Sequence, residues 1–134
     1  MKLKIELIPK TTFFTNVRSL MPHKWDEIRK DCYSAAGYKC EVCGEKGPTH
    51  PVECHEMWEY KNGIQKLTGL IALCPNCHRC KHWGLARLKG LEKQNYEHFM
   101  RINNMSREDA EREVIKAFEL WRKLNLTNWE FDIS

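Results

Sequence analysis

The sequence predicts an α+β protein in which a small zinc-stapled core of two strands and one helix is flanked by further helices. Two Cys-x2-Cys pairs, at residues 40–43 and 74–77, predict the zinc site that holds this core. The segment between the pairs contains two apolar stretches around the turn signal Lys61-Asn62-Gly63, which is typical of a β-hairpin. Apolar stripes at helical spacing lie before and after this region, so we expect helices on both sides.

Length and composition are those of a globular protein with one domain. The chain has 134 residues, of which 42% are hydrophobic and 30% charged. No apolar run approaches the roughly 18 residues of a membrane span, and the N-terminus does not resemble a signal peptide. We therefore expect a cytoplasmic protein with a single domain over 1–134. It comprises an N-terminal strand and helix (1–39), a metal-binding core (40–83), and C-terminal helices and a strand (84–134).

Basic residues are concentrated at and after the second cysteine pair. The chain has 22 Lys and Arg against 18 Asp and Glu, a net charge of +4. Residues 78–101 hold six basic and two acidic residues, which accounts for the whole excess. This distribution fits an ordinary solvated helix face, and it also fits contact with an acidic partner.

Three helices and two short strands are expected in the flanks. Alternating apolar residues predict strands over 3–7 and 129–133, and these strands are predicted to pair. Helices are predicted from Pro22 to Ala36 and from about Leu85 to Met100, where Gly90 weakens the pattern.

Ser106 suits the N-cap of the third predicted helix. Four aromatic side chains from the flanks are expected to build a core around the metal-stapled unit, namely Trp25, Phe118, Trp121 and Trp129.

The two cysteine pairs predict a structural zinc bound by Cys40, Cys43, Cys74 and Cys77. Each Cys-x2-Cys knuckle lets two thiolates approach one ion from a tight turn, and two knuckles complete a tetrahedral site. The second pair and His78 also match a haem attachment pattern, but such attachment goes with export and leaves the first pair without a role. A ferredoxin run would need a further cysteine at position 84, which is glycine. The other cysteines, Cys32, Cys54 and Cys80, are expected to be small buried or partly buried residues.

His78 and His82 lie one helical turn apart in a segment that is expected to begin a helix at Pro75. Both rings then face the same way and can share one ion. Because the cysteines fill one zinc, this pair would bind a second ion with open coordination positions. His55 lies on the first hairpin strand, and a single histidine facing a metal-polarised site is what metal-assisted phosphodiester hydrolysis needs. No role is expected for His23, His50 or His98, and His23 and His98 are expected to stand alone on helical surfaces.

From Cys40 to His82 the sequence resembles the HNH endonuclease family, whose core is the ββα-metal fold. The resemblance rests on C-x2-C-G, E-C-H-E and L-I-A-L-C-P-N-C-H-R-C-K-H, within 43 residues that make up about a third of the chain. Weaker similarity extends through Trp25-Asp26 and residues 129–133.

The resemblance implies a role for each histidine of the core. His55 matches the general base that removes a proton from the attacking water. His78 and His82 match ligands of a catalytic divalent metal, which would be Mg, Mn, Ni or Zn. The four knuckle cysteines match the structural zinc of many members, and cleavage would leave a 5′-phosphate and a 3′-hydroxyl.

Two positions depart from the family pattern. Gly69 stands where the family has an asparagine that holds the loop of the base, so Thr68 or a backbone group would have to replace it. Cys54 stands where the family usually has an Asp or His ligand. A thiolate there would favour zinc over magnesium, and Glu53 or Glu56 are alternative ligands.

DNA is the expected partner, contacted mainly through its phosphate backbone by Arg79, Lys81, Arg87 and Lys89. No segment resembles a base-reading module, so we expect little sequence preference. The predicted function is a metal-dependent DNA endonuclease. The alternatives are a weakly active or inactive zinc module that binds nucleic acid, and a zinc scaffold for protein contacts.

Overall fold

The hairpin predicted between the cysteine pairs is the centre of the fold. In the computed structural model, which describes residues 1–46 and 51–134, β1 (Glu53–Lys61) and β2 (Ile64–Leu73) are antiparallel. Asn62 and Gly63 turn the chain with φ angles of 53° and 75°, the left-handed conformations of a type I′ turn. The turn signal therefore predicted the hairpin correctly. His50 lies outside the described residues.

Six α-helices and a short 3₁₀ helix flank the sheet in the described part of the chain. A short 3₁₀ helix (Lys10–Thr12), α1 (Val17–Leu20) and α2 (Trp25–Ala35) come first, and α3 (Pro75–Lys81), α4 (Trp83–Leu88), α5 (Glu92–Asn103) and α6 (Arg107–Leu124) follow the hairpin. Together with the sheet they confirm the predicted α+β class.

The helix predicted from about Leu85 to Met100 is in fact two helices, because Gly90 ends α4. Its φ of 73° is left-handed. The N–H of Gly90 donates to the carbonyl of Arg87 at 3.2 Å and that of Leu91 to Ala86 at 2.9 Å. These two bonds form a Schellman motif, which closes a helix and does not merely weaken it.

The other two predicted helices form close to their expected bounds. Ser106 Oγ accepts the N–H of Asp109 at 3.1 Å, so α6 begins at the predicted N-cap. The helix predicted from Pro22 begins at Trp25.

The predicted pairing of the two termini is wrong. Strand β3 (Glu130–Asp132) forms at the expected place, but it pairs in parallel with β2, with Ile64 opposite Glu130. Residues 3–7 form no strand. The backbone N–H and C=O of the fully buried Leu3 both bond to the side-chain amide of Asn103, each at 2.9 Å. Since these groups are already satisfied, they do not take part in a sheet.

Trp83 lies at the centre of the hydrophobic core. It is fully buried, and its ring meets Tyr96 and Phe99 edge to face at centroid distances of 4.8 and 5.5 Å. The four aromatic residues predicted to build the core are only partly buried, namely Trp25, Phe118, Trp121 and Trp129. Residues of α4 and α5 therefore occupy the place that the sequence assigned to the flanking aromatics.

None of the helices in residues 1–46 and 51–134 combines the length and hydropathy that crossing a membrane requires.

The clasp between Asn103 and Leu3 gives a direct test of how the N-terminal segment is held. Asn103→Ala removes two hydrogen bonds, so we expect the free energy of unfolding to fall by about 1–3 kcal/mol. Urea denaturation of the zinc-loaded protein measures it. Glu97→Ala, an exposed substitution on the same helix, is the control and should change stability by less than about 0.5 kcal/mol. Equal stabilities of the two variants would contradict the clasp.

Candidate functional site

The four predicted zinc ligands come together in the structure. The Sγ atoms of Cys40, Cys43, Cys74 and Cys77 all lie within 4.8 Å of one another, and those of Cys43 and Cys74 are 3.6 Å apart. In a tetrahedral site with Zn–S bonds of about 2.3 Å, neighbouring sulfur atoms lie about 3.8 Å apart. The group can therefore hold a metal ion such as zinc.

Local backbone geometry draws each cysteine pair together. The N–H of Cys43 donates to Sγ of Cys40 at 3.5 Å, and the N–H of Cys77 donates to Sγ of Cys74 at 3.4 Å. Cys74 thereby also serves as the N-cap of α3. Gly44, at a φ of 78°, supplies the left-handed turn after the first pair.

The electrostatics of the cluster favour a cation between the sulfur atoms. Hydrogen bonds from the neighbouring thiols Cys74 and Cys77 hold the pKa of Cys40 far below its usual value. The same cluster raises the pKa of Cys77, because a second thiolate beside Cys40 is unfavourable. All four sulfurs can ionise together only when a positive ion lies between them.

His98 contacts the sulfur cluster from α5, although no role was predicted for it. Its Nε2 lies 3.1 Å from Sγ of Cys77, and Nη2 of Arg101 lies 3.2 Å from its Nδ1. Because a guanidinium only donates, Nδ1 must accept and Nε2 carries the proton that is donated to the sulfur. The expectation of a surface histidine is wrong, since His98 is 6% exposed.

Cys80 lies apart from the cluster. It is fully buried, and its Sγ donates to the carbonyl of Asn95 at 3.6 Å. Burial raises the pKa of this thiol to about 12. The prediction of small buried or partly buried residues is confirmed, since Cys80 is buried and Cys32 and Cys54 are partly buried.

A second group forms from His55 on β1, His78 on α3 and His82, which directly follows α3. The ring centroids of His55 are 5.2 Å from those of His78 and His82, which are 4.9 Å from each other. The Nε2 atoms of His78 and His82 are 3.2 Å apart. Two nitrogens on one tetrahedral ion, with bonds of about 2.0–2.1 Å, lie about 3.3 Å apart. The donor set and its spacing therefore fit a metal ion.

Two carboxylates orient the rings of this histidine group. Glu53 Oε1 lies 3.1 Å from Nδ1 of His78, and Glu6 Oε2 lies 3.3 Å from Nε2 of His55. A carboxylate accepts the ring proton, so the opposite nitrogen keeps its lone pair. For His55 this nitrogen is Nδ1, which is buried and has no hydrogen-bond partner among the described residues.

Glu6 is held in its ionised form. Burial acts to raise its pKa, but hydrogen bonds from His55 and Lys81 outweigh burial and lower the pKa to about 2. The Lys81 Nζ lies 2.7 Å from Oε1 of Glu6, and this lysine side chain is 7% exposed.

Burial favours the neutral form of the His78 and His82 rings. Burial lowers the pKa of His82 to about 3, helped by the nearby rings of His78 and His55. Burial also lowers the pKa of His78, against the opposing effect of Glu53. Neutral imidazole is the form that binds metals, so protons do not compete for these nitrogens near pH 7.

The predicted third ligands are used elsewhere. The structure does not bring Cys54 into the histidine group. Burial and the neighbouring Cys32 thiol raise the pKa of Cys54. Glu56 Oε1 accepts the N–H of Val17 at 2.7 Å, at the start of α1. Of the residues predicted as a third ligand, Glu53 contacts the histidine group, and its carboxylate hydrogen-bonds to Nδ1 of His78.

Thr68, next to Gly69, makes a hydrogen bond that connects the two hairpin strands. Met57 pairs with Gly69 and Trp58 with Leu67, so Thr68 is an extra residue in the ladder. Its hydroxyl donates to the carbonyl of Met57 at 3.1 Å, which ties β2 to the strand that carries His55. A methyl group on Gly69 would lie 3.1 Å from Cε of Met57.

The four predicted phosphate-binding residues differ in their availability. Lys81 is buried against Glu6, which removes it from any DNA-contacting surface. Arg79 donates to the Asn95 side chain at 2.6 Å, and exposed Arg87 pairs with Glu92 at 2.7 Å. Lys89 is exposed.

Comparison with protein-family models, curated proteins and solved structures finds no match in any of the three.

Removal of zinc by a strong chelator is expected to lower the melting temperature. The hairpin and α3 form too small a unit to fold well without their metal. Circular dichroism melting with metal analysis measures the effect, and returning zinc should restore the original curve. A protein that contains no zinc and melts identically with chelator would contradict the cysteine site.

His98→Ala is expected to weaken zinc retention by about 10- to 100-fold, because the sulfur of Cys77 loses its N–H donor. Competition with a chromogenic chelator measures retention. His98→Gln keeps an N–H donor and should retain zinc better than the alanine variant. His23→Ala, on an exposed histidine, is the control. Wild-type retention in His98→Ala would show that the contact does not matter.

Proposed function

We propose that the protein is a metal-dependent endonuclease that hydrolyses phosphodiester bonds in DNA. The proposal is carried by His55, which lies in one group with His78 and His82 and whose buried Nδ1 has no hydrogen-bond partner among the described residues. Phosphodiester hydrolysis needs a base close to an ion that stabilises negative charge. The resemblance of residues 40–82 to HNH endonucleases supports the same assignment.

His55 is suited to act as the general base. Because Glu6 accepts the proton on Nε2, the lone pair of the ring is on Nδ1. A water molecule between Nδ1 and a phosphate would lose its proton to this lone pair as it attacks phosphorus. The ionised Glu6 then stabilises the imidazolium, and Lys81 keeps Glu6 in place.

His78 and His82 would hold the ion through their Nε2 atoms. A divalent ion there would stabilise the charge on the phosphate and on the leaving 3′ oxygen. Two imidazoles favour Zn²⁺, Ni²⁺ or Mn²⁺ over Mg²⁺. Glu53 fixes the ring of His78 so that its Nε2 lone pair stays directed at the ion.

A zinc-stabilised module that binds nucleic acid without cutting it is the second candidate. It is favoured by the positions of Cys54 and Glu56. Cys54 lies beside Cys32 and Glu56 accepts a backbone N–H, so neither supplies the third ligand of the histidine pair. Such a protein would retard DNA in a gel and cleave none with any divalent ion.

His55→Ala is expected to reduce cleavage of plasmid DNA by about 10²- to 10⁴-fold, the usual contribution of a general base. The assay compares wild type and variant with Mg²⁺, Mn²⁺, Ni²⁺ and Zn²⁺. His23→Ala is the matched control and should cut at the wild-type rate. A folded His55→Ala protein that cuts as fast as wild type would show that His55 is not the base.

Metal analysis separates a base from a ligand at position 55. If His55 is the base, His55→Ala keeps both metal ions and loses only cleavage. If His55 is a third ligand, the variant also loses the second ion, as His78→Ala and His82→Ala are expected to do.

A further inference from the structure

A cleft of about 780 Å³ opens beside the histidine group, and its walls are mostly apolar. His55, His78 and His82 line one part of it. Five aromatic side chains also line it, namely Phe13, Trp25, Trp58, Phe118 and Trp121. Backbone contacts to duplex DNA are made by cations and polar groups, so they do not account for this concentration of rings.

The lining side chains are not all packed away from solvent. Phe13 is 54% exposed, and Leu85 and Leu88 on α4 are 53% and 85% exposed. A cleft that keeps this much apolar surface accessible can gain free energy by burying a flat apolar ligand.

Cations outnumber carboxylates in the lining. Lys10, Arg18 and Arg87 line the cleft, and Arg87 also pairs with Glu92 at 2.7 Å. The carboxylate in the lining is Glu56, whose oxygen already accepts a backbone N–H. The Lys10 Nζ lies 5.2 Å from the centroid of the Trp121 ring. The Arg87 guanidinium lies 4.4 Å from the centroid of the Phe118 ring. A ligand that complements this lining carries negative charge together with flat rings.

We propose that the cleft binds unstacked bases of single-stranded DNA, and that single-stranded DNA is the preferred substrate; the cleavage part of this proposal rests on the proposed function. A paired base presents only its edges in the grooves of a duplex. An unpaired base can stack on Phe or Trp while its phosphates meet cations. The cleft volume lies in the range of roughly 300–1,000 Å³ that suits small ligands, which is the size class of nucleosides.

The position of the cleft connects base binding to the reaction. Since the histidine group lines the same cleft, a base held by the aromatic walls brings its neighbouring phosphate to this group. Stacking therefore positions the scissile bond, and does so without reading the base sequence.

Binding to matched oligonucleotides tests the proposal. A fluorescein-labelled single strand and the same sequence as a duplex are titrated with wild-type protein without added divalent ion, and anisotropy is measured. We expect the single strand to bind about ten-fold tighter or better. Phe13→Ala should weaken single-strand binding by roughly 5- to 150-fold, the usual effect of removing a stacking ring.

Phe14→Ala is the matched control, because Phe14 is adjacent, 83% exposed and outside the lining of the cleft. It should bind the single strand as wild type does. Both substitutions are at exposed positions, so folding is expected to survive. Equal affinity for single strand and duplex, or equal losses in the two variants, would overturn the proposal.

Cleavage assays on the same oligonucleotides separate this proposal from the proposed function. Preferential single-strand binding with no cleavage of either form by any divalent ion would overturn the nuclease and support the cleft as a binding site. Cleavage of the duplex as fast as the single strand would support the nuclease and overturn the substrate preference.

Discussion

Helix α3 connects the two groups of side chains that could hold a metal ion, and the sulfur cluster sets where this helix begins. Cys74 accepts the N–H of Cys77 as the helix N-cap while its sulfur takes part in the cluster. The atom that can hold an ion is therefore also the atom that starts the helix. His78 lies one turn further on, with its Nε2 already 3.2 Å from that of His82. An ion between the sulfurs would therefore orient the histidines through a single short helix.

The other side of the histidine group depends on a charge held inside the protein. Burial opposes ionisation of Glu6, yet its bonds to Lys81 and His55 outweigh burial and bring the pKa to about 2. A buried ammonium without this partner would be costly. The ion pair with Glu6 explains why Lys81 is directed inward, although the charge of its region suggested DNA contact. Because Glu6 belongs to the N-terminal segment, that segment determines which nitrogen of His55 carries the proton.

Features encoded by adjacent residues could be predicted from the sequence, because their physics is local. The Asn62-Gly63 turn, the Ser106 cap and the two cysteine knuckles each depend on a few consecutive residues. Glu6 and His98 could not be assigned in this way, since they meet their partners across 49 and 21 residues of chain. His98 did leave one signal: it precedes Phe99 on the buried face of α5, where a polar ring needs a partner.

The aromatic side chains of the flanks show a second limit of prediction from the sequence. Their apolar character predicts that they form the core, but Trp83 and Phe99 occupy the centre of the core. Several of the flanking rings line the cleft beside the histidines instead. Four thiolates occupy every position of a tetrahedral ion, whereas two imidazoles leave positions open. The start of α3 thus has the donor set of a metal site with no free coordination position. The end of α3 has the donor set of a site with free positions. Since the apolar cleft adjoins the open site, a ligand packed against these rings would displace water and strengthen electrostatic interactions around His55, which core packing would not achieve.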